Sequence, residues 1–283
     1  MTSERFPWAH MKASSTRPSG SPTGYSHPSC YAKELSDCST GISREHYISK
    51  GLLVEMGGKP QIAGFSFQPQ DTIRRVGVET LTSRILCERH NSCLSPLDSE
   101  ATRCLGSLRA FDADLQDGRT PSNDDVTING ADLERWMLKV LVGMTHAKIL
   151  ASSGTRPNAP VIRILFGYER WPNGWGLYVL ARREISHAFA GIEIVTRTLG
   201  DDIWAADFDI AGFPFMLTLG TPDGGGREHL YRPAGLILSR TDHEVQKKLT
   251  FGWPRRPHAD YVGFARQGQY DGSRPQDERL VRE

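Results

Sequence analysis

The sequence lacks any hydrophobic run long enough to cross a membrane, and it lacks an excess of charge of either sign. No window approaches the roughly 18 consecutive uncharged apolar residues of a membrane-spanning helix. The N-terminal segment has no apolar stretch of the kind found in a secretory signal. The 34 Lys and Arg residues nearly balance the 33 Asp and Glu residues, which gives a net charge of +1. These absences argue against a membrane protein and against a protein that coats nucleic acid through bulk charge, and they predict a cytoplasmic protein.

Cysteine is scarce, and its distribution is uneven. The chain has five cysteines, and none of them lies beyond residue 104: Cys30, Cys38, Cys87, Cys93 and Cys104. In a reducing cytoplasm, cysteines are metal ligands or free thiols more often than disulfides. The N-terminal part of the chain is therefore expected to carry the chemistry.

Composition divides the chain into segments. Residues 1–29 are rich in Ser, Pro, Thr and Gly without periodicity, which predicts a disordered leader. A cysteine-bearing module is expected over residues 30–112, and a second domain over residues 126–250 after a polar linker. Residues 251–283 are rich in Pro, Arg, Gly and Gln, which predicts a tail that is at most partly ordered.

Local patterns predict an α+β fold. Ser95-Pro96-Leu97-Asp98 is typical of a helix start, so a helix is expected over residues 95–114. A second helix is expected from about residue 129 to 152, because six apolar residues recur at helical spacing: Leu133, Trp136, Met137, Val140, Leu141 and Met144. Strand-like runs separated by turn residues follow it at 161–166, 175–181, 192–198, 203–210, 213–219 and 229–239. The second domain is therefore expected to be a mostly antiparallel sheet packed on one long helix.

Two pairs of soft ligands have the spacing of a metal site. Cys30 and Cys38 form the first pair, and Cys87 and His90 form the second pair on one tight turn. Four such ligands in two pairs are typical of a closed, tetrahedral structural zinc site. The alternative is that the first pair are small apolar core residues and that the histidine lies at the surface. The two other cysteines remain open as substitute ligands or as packing thiols.

Residues 42–49 alternate like a short strand directly after the first cysteine pair. In a regular strand, Arg44 and His46 lie on one face and Glu45 lies on the other. Glu45 and His46 can therefore contact one ion only if the strand bends. Further on, His90-Asn91 stands shortly before the helix whose first turn carries Asp98.

The order of these residues resembles the HNH-type nuclease module, the ββα-metal fold, in a zinc-stapled form. The shared features are a cysteine pair, Ser-Arg-Glu-His at 43–46, a strand that ends in Leu-Cys, and His-Asn before a helix. The resemblance covers residues 30–112. It implies that His46 is the general base that activates water, that Asn91 holds the loop and the base in place, and that the four soft ligands bind zinc.

The resemblance also implies a catalytic Mg²⁺ or Mn²⁺ near the base. The family carries a histidine for this ion on the helix, and this chain has none there. Asp98 is expected to replace it, since a carboxylate on the first helical turn can bind Mg²⁺, and Glu45 is expected to supply a second oxygen. Arg44 and Arg89 are then expected to bind the nucleic-acid backbone.

The function that the resemblance implies is metal-dependent endonucleolytic hydrolysis of phosphodiester bonds in DNA or RNA, in settings such as phage defence or mobile elements. The C-terminal domain could recognise the substrate or a protein partner. The alternative is a non-catalytic, zinc-stabilised module that binds nucleic acid or protein and keeps the Glu-His and His-Asn elements for its fold. The absent helix histidine favours this alternative.

Overall fold

The computed structural model describes residues 8–62, 66, 72, 74–116, 125–150, 156–157, 160–180, 192–220, 229–240 and 243–266. The N-terminal elements are β1 (Ile42–His46), α1 (Lys50–Glu55), β2 (Gln61–Ile62), β3 (Arg74–Arg75), β4 (Thr82–Cys87), α2 (Glu88–Ser92) and α3 (Ser95–Gln116). Next come β5 (Asp125–Asn129), α4 (Gly130–His146), β6 (Arg156–Pro157), α5 (Val161–Leu165), β7 (Gly176–Leu180) and β8 (Ile192–Leu199). The C-terminal strands are β9 (Asp202–Ile210), β10 (Phe213–Thr218), β11 (His229–Tyr231), β12 (Pro233–Arg240), β13 (His243–Gly252) and β14 (Ala259–Arg266).

The strands form two small ribbons and two larger sheets. Strands β1 and β4 pair antiparallel, as do β2 and β3. The first larger sheet has the order β11-β7-β10-β9-β6, and β8 pairs with β9 beside it. The second has the order β14-β12-β13-β5, in which β12–β14 and β13–β5 are parallel pairs. The chain therefore has the predicted α+β fold. The first larger sheet is antiparallel apart from the β6–β9 pair, and the second is mixed.

Helix α4 is the centre of the core. Asn129 caps its start, because its side-chain oxygen accepts a hydrogen bond from the Asp132 backbone N–H at 3.3 Å. All six residues of the predicted stripe are at most 4% exposed. The helix is buried on nearly every side, as expected of a helix that α3, α5 and the sheets surround. It ends at His146, earlier than predicted, where Lys148 turns the chain with a left-handed φ of 58°.

One predicted strand is wrong. The apolar run at 161–166 forms the short helix α5, whose buried side chains pack against α4. A run of this length with no polar alternation fits a buried strand and a buried helix equally well. The run at 229–239 is divided into β11 and β12 by Arg232, which has a φ of 40°.

Segments near both ends of the described chain contact the rest of the molecule. Residues 8–29, which belong to the predicted disordered leader, lie along the molecule. The Met11 N–H donates to the Trp253 carbonyl at 3.2 Å, and the Ser14 hydroxyl donates to Asp132 at 2.6 Å. In the predicted tail, residues 259–266 form β14 beside β12. Hydrogen bonds therefore join both segments to the rest of the molecule.

The buried side chains form one main core. It runs from Cys30 to Phe264 and includes residues of α3, α4 and both larger sheets. The two domains predicted from composition therefore share their apolar interior. In the described ranges, no helix is long and apolar enough to cross a membrane.

Candidate metal centre

The structure brings the two predicted ligand pairs together. Cys30 and Cys38 flank a short 3-10 turn at Lys33–Leu35, while Cys87 ends β4 and His90 lies in α2. All four side chains are buried, and their sulfur and nitrogen ligand atoms lie within 4.8 Å of one another. The other two cysteines are not part of this group, which we call the Cys/His cluster.

The dimensions of the Cys/His cluster suit a tetrahedral ion. His90 Nδ1 lies 3.1 Å from Cys87 Sγ and 3.7 Å from the sulfurs of both Cys30 and Cys38. Zinc–sulfur bonds of about 2.3 Å and zinc–nitrogen bonds of about 2.0 Å, set at tetrahedral angles, imply a sulfur–nitrogen distance of about 3.5 Å. The cluster could therefore hold a metal ion such as zinc, and four protein ligands would leave it no open position.

Burial and hydrogen bonding set the protonation of these ligands. Desolvation lowers the pKa of His90 to about 4, so its imidazole is neutral at pH 7, as a ligand must be. Desolvation raises the pKa of Cys30 and Cys38. It also acts to raise the pKa of Cys87, but backbone hydrogen bonds at His90 and Ser39 outweigh it, so that this pKa is lowered. Metal binding must therefore expel protons from buried thiols.

Packing, not a second hydrogen bond, orients the His90 ring. Its Nε2 atom is buried and has no hydrogen-bond partner among the described residues. The ring of Phe166, which directly follows α5, lies edge-on at 4.9 Å between centroids. A metal-binding histidine usually donates its other N–H to an oxygen, so an aromatic neighbour is a distinctive feature of this cluster.

Arg89 supports the Cys/His cluster. A contact with nucleic acid would require a guanidinium that is free in solvent, whereas protein groups bind this one. Its Nε atom donates to Asp37 Oδ1 at 2.9 Å, and its Nη2 atom donates to Asp37 Oδ2 at 3.2 Å and to the Ser21 carbonyl at 3.1 Å. Burial would raise the pKa of Asp37, but the Arg89 guanidinium and the Thr23 N–H outweigh it and lower that pKa. This bidentate pair fixes the loop that carries Cys38 against α2.

Strand β1 separates the side chains of Glu45 and His46. Arg44 is exposed and Glu45 is 3% exposed, so the alternation predicted for this strand is present. Pairing with β4 shifts register between Ser43 and Glu45, but the shift does not bring Glu45 and His46 to one point. Glu45 Oε1 lies 2.6 Å from Lys139 Nζ in the core, whereas His46 Nε2 lies 4.0 Å from the exposed Glu79.

The two predicted ligands of the catalytic ion do meet, but Lys139 lies between them. Its ammonium is 2.6 Å from Glu45 Oε1 and 2.6 and 2.8 Å from the two oxygens of Asp98. The Ser49 hydroxyl donates to Asp98 at 2.5 Å and accepts from Trp136 Nε1 at 2.7 Å. We call these five residues the Lys139 network.

The charges of the Lys139 network stabilise one another. Desolvation would lower the pKa of Lys139, but the carboxylates of Asp98 and Glu45 outweigh it and raise that pKa. Desolvation raises the pKa of Glu45 despite the ammonium beside it.

Lys139 was not identified from the sequence, although the sequence contains a signal for its burial. The residue stands in the run Trp-Met-Leu-Lys-Val-Leu-Val at 136–142, where apolar neighbours on every side require burial and hence a charged partner.

His46 and Asn91, the predicted catalytic pair, share no hydrogen bond among the described residues. Burial lowers the pKa of His46, and its Nε2 atom has no hydrogen-bond partner in the described part of the chain. The backbone carbonyl of Asn91 accepts from the Leu94 N–H at 3.0 Å. Among the described residues, no hydrogen bond joins Asn91 to His46, so the placement of the base by Asn91 stays a prediction.

Comparisons of the chain with family models, with curated proteins and with solved structures gave no match. The interpretation of the Cys/His cluster and of the Lys139 network therefore rests on their own geometry.

Proposed function

We propose that the chain is a zinc-stabilised nuclease of the HNH type, which hydrolyses phosphodiester bonds in DNA or RNA with His46 as the general base. The observation that supports this proposal best is the position of the Cys/His cluster at one end of the β1–β4 ribbon. There Cys87 pairs with Ile42, while His46 pairs with Thr82 at the other end. The ribbon leads through α2 into α3, which is the order of elements in the family that the sequence resembles.

Zinc in the Cys/His cluster would supply a crosslink and no chemistry. The four ligands come from three separate stretches of chain, so the ion would fasten the turn after Cys30 to the end of β4 and to α2. Since four protein ligands saturate a tetrahedral ion, no position is left for water or substrate. Catalysis is therefore assigned to residues outside the cluster.

His46 has the protonation state of a general base, because burial lowers its pKa and leaves the imidazole neutral at pH 7. Its Nε2 atom is buried, so this role requires β1 to expose that atom to water. The exposed Arg44 lies two residues before it on the same strand, and Arg44 has no ion-pair partner among the described residues. This guanidinium offers a positive charge for a phosphate group near the strand.

The predicted catalytic Mg²⁺ or Mn²⁺ does not fit Glu45 and Asp98 as they stand. Both carboxylates are bound to the Lys139 ammonium, and Glu45 points away from His46. No step of the reaction is therefore assigned to an ion held by these residues.

A second candidate function is a non-catalytic, zinc-stabilised module that binds nucleic acid, or binds a protein partner through the C-terminal sheets. The Lys139 network is the specific observation that favours it, since an ammonium stands where the resemblance implies a catalytic ion. In that case the Glu-His element of β1 serves the fold.

Cleavage assays separate the two candidates. Purified protein is incubated with supercoiled plasmid and with single-stranded RNA, each with Mg²⁺, Mn²⁺ or a chelator of divalent ions. We expect nicking or strand cleavage that His46→Ala abolishes at unchanged zinc content and unchanged melting temperature. His258→Ala is the control, because His258 is an exposed histidine between β13 and β14. Equal cleavage by His46→Ala would refute the role of His46, and no cleavage of either substrate by the wild type would favour the non-catalytic module.

A further inference from the structure

The Lys139 network contains an oxygen donor set that already holds a cation. Glu45 and Asp98 contribute four carboxylate oxygens, and the Ser49 hydroxyl lies 2.5 Å from one of them. Hard divalent cations prefer oxygens of this kind. The position between the carboxylates is filled, however, by Lys139 Nζ at 2.6 to 2.8 Å.

The surroundings of Lys139 in α4 are buried and apolar. Lys139 is 3% exposed, and its neighbours Leu138 and Val140 are fully buried. If an ion displaced the ammonium, the displaced charge would be buried among apolar side chains without a partner, which is strongly unfavourable. An incoming ion would also have to lose part of its water shell, because Glu45 is buried and Asp98 is only partly exposed. Both costs favour the ammonium over a divalent ion.

We propose that Lys139 is the resident cation of this site, so that the native chain binds no divalent ion between Glu45 and Asp98. Removal of the Lys139 side chain would then open a site for Mg²⁺ or Mn²⁺ made of the two carboxylates and the Ser49 hydroxyl. The inference concerns metal binding alone and does not depend on whether the chain cleaves nucleic acid.

Binding of Mn²⁺ tests the inference directly. Zinc-loaded wild type and Lys139→Ala are titrated with Mn²⁺, and the free ion is followed by electron paramagnetic resonance, with zinc content measured on the same samples. We expect Lys139→Ala to bind about one equivalent of Mn²⁺ at least about tenfold more tightly than the wild type does. The variant Lys139→Ala/Asp98→Asn is the matched control and should lose this binding.

Folding of the variants is controlled separately. Lys139→Ala leaves the buried Glu45 and the partly exposed Asp98 without a counter-charge, so Glu45→Gln/Lys139→Ala, which keeps the net charge of the network unchanged, is titrated as well. The inference is overturned if the wild type binds one Mn²⁺ that Asp98→Asn removes, because an ion then displaces Lys139. It is also overturned if Lys139→Ala and Glu45→Gln/Lys139→Ala are folded and bind no more Mn²⁺ than the wild type. Since the readout is metal binding, failure of the nuclease proposal would leave these outcomes unchanged.

Discussion

At the scale of single residues, burial and pairing decide which predicted side chains can meet a substrate. The ligands of the Cys/His cluster are at most 1% exposed, so an ion there could stabilise the fold but could not reach a phosphate. Arg89 is bound to Asp37, and Asp98 is bound to Lys139. Of the residues predicted to act on nucleic acid, Arg44 is exposed on β1, whereas His46 is mostly buried and its Nε2 atom is inaccessible to solvent.

Cys87→Ser is expected to remove the metal. Elemental analysis of wild-type protein purified without added metal should find about one zinc per chain, and the variant should hold almost none, because a serine hydroxyl is a poor replacement for a thiolate. Cys93→Ser is the matched control, since the Cys93 thiol donates to the Thr16 carbonyl and lies outside the cluster. Zinc-free wild type, or zinc retained by Cys87→Ser, would contradict the assignment.

The pH dependence of cleavage is expected to follow His46. A general base is active when neutral, and burial places the pKa of His46 below its usual 6.5. The rate should therefore rise with pH along an acid limb whose midpoint lies below 6.5, and should change little around pH 7. Initial nicking rates measured from about pH 5 to pH 8 provide the test. A midpoint above 6.5 would be inconsistent with His46 as the base.

At the scale of elements, the sequence predicted those helices that are determined by interactions between residues close together in the chain. The proline in the first turn of α3 and the apolar stripe of α4 act within one helix, and both helices are present, although Ser95, predicted to cap α3, is its first residue instead. The spacing of Cys87 and His90 is equally local. The helix α5 and the Lys139 network could not be predicted in the same way, because tertiary packing sets the first and residues distant in sequence form the second.

Trp136→Ala is expected to be strongly destabilising. The side chain is fully buried in α4, and its Nε1 atom donates to Ser49. The loss should be about 3–5 kcal/mol in the free energy of unfolding, measured by denaturant titration. Trp136→Phe keeps most of the ring and removes the hydrogen bond, so a smaller loss is expected. A nearly neutral Trp136→Ala would show that this face of α4 does not support the core.

At the scale of the whole molecule, the N-terminal part and the sheets depend on one another. Helix α3 packs against α4 and contacts β12 and β13, so the helix that follows the Cys/His cluster also covers the C-terminal sheet. The segment before the cluster also contacts the later part of the chain, because the Thr16 hydroxyl donates to the Leu165 carbonyl of α5 at 2.8 Å and the Met11 N–H donates to the Trp253 carbonyl. Loosening the cluster should therefore weaken the entire core.

Removal of zinc is expected to destabilise the chain as a single unit. A strong chelator should lower the midpoint of one calorimetric unfolding transition by at least about 5 °C, because unfolding of the cluster exposes the faces of α3 and α4 that the sheets share. Added Zn²⁺ should restore the midpoint, since folding and metal binding are coupled. Two transitions, with the one at higher temperature unaffected by the chelator, would instead show that the segments 30–112 and 126–250 unfold separately. The continuity of the core from Cys30 to Phe264 favours the single transition.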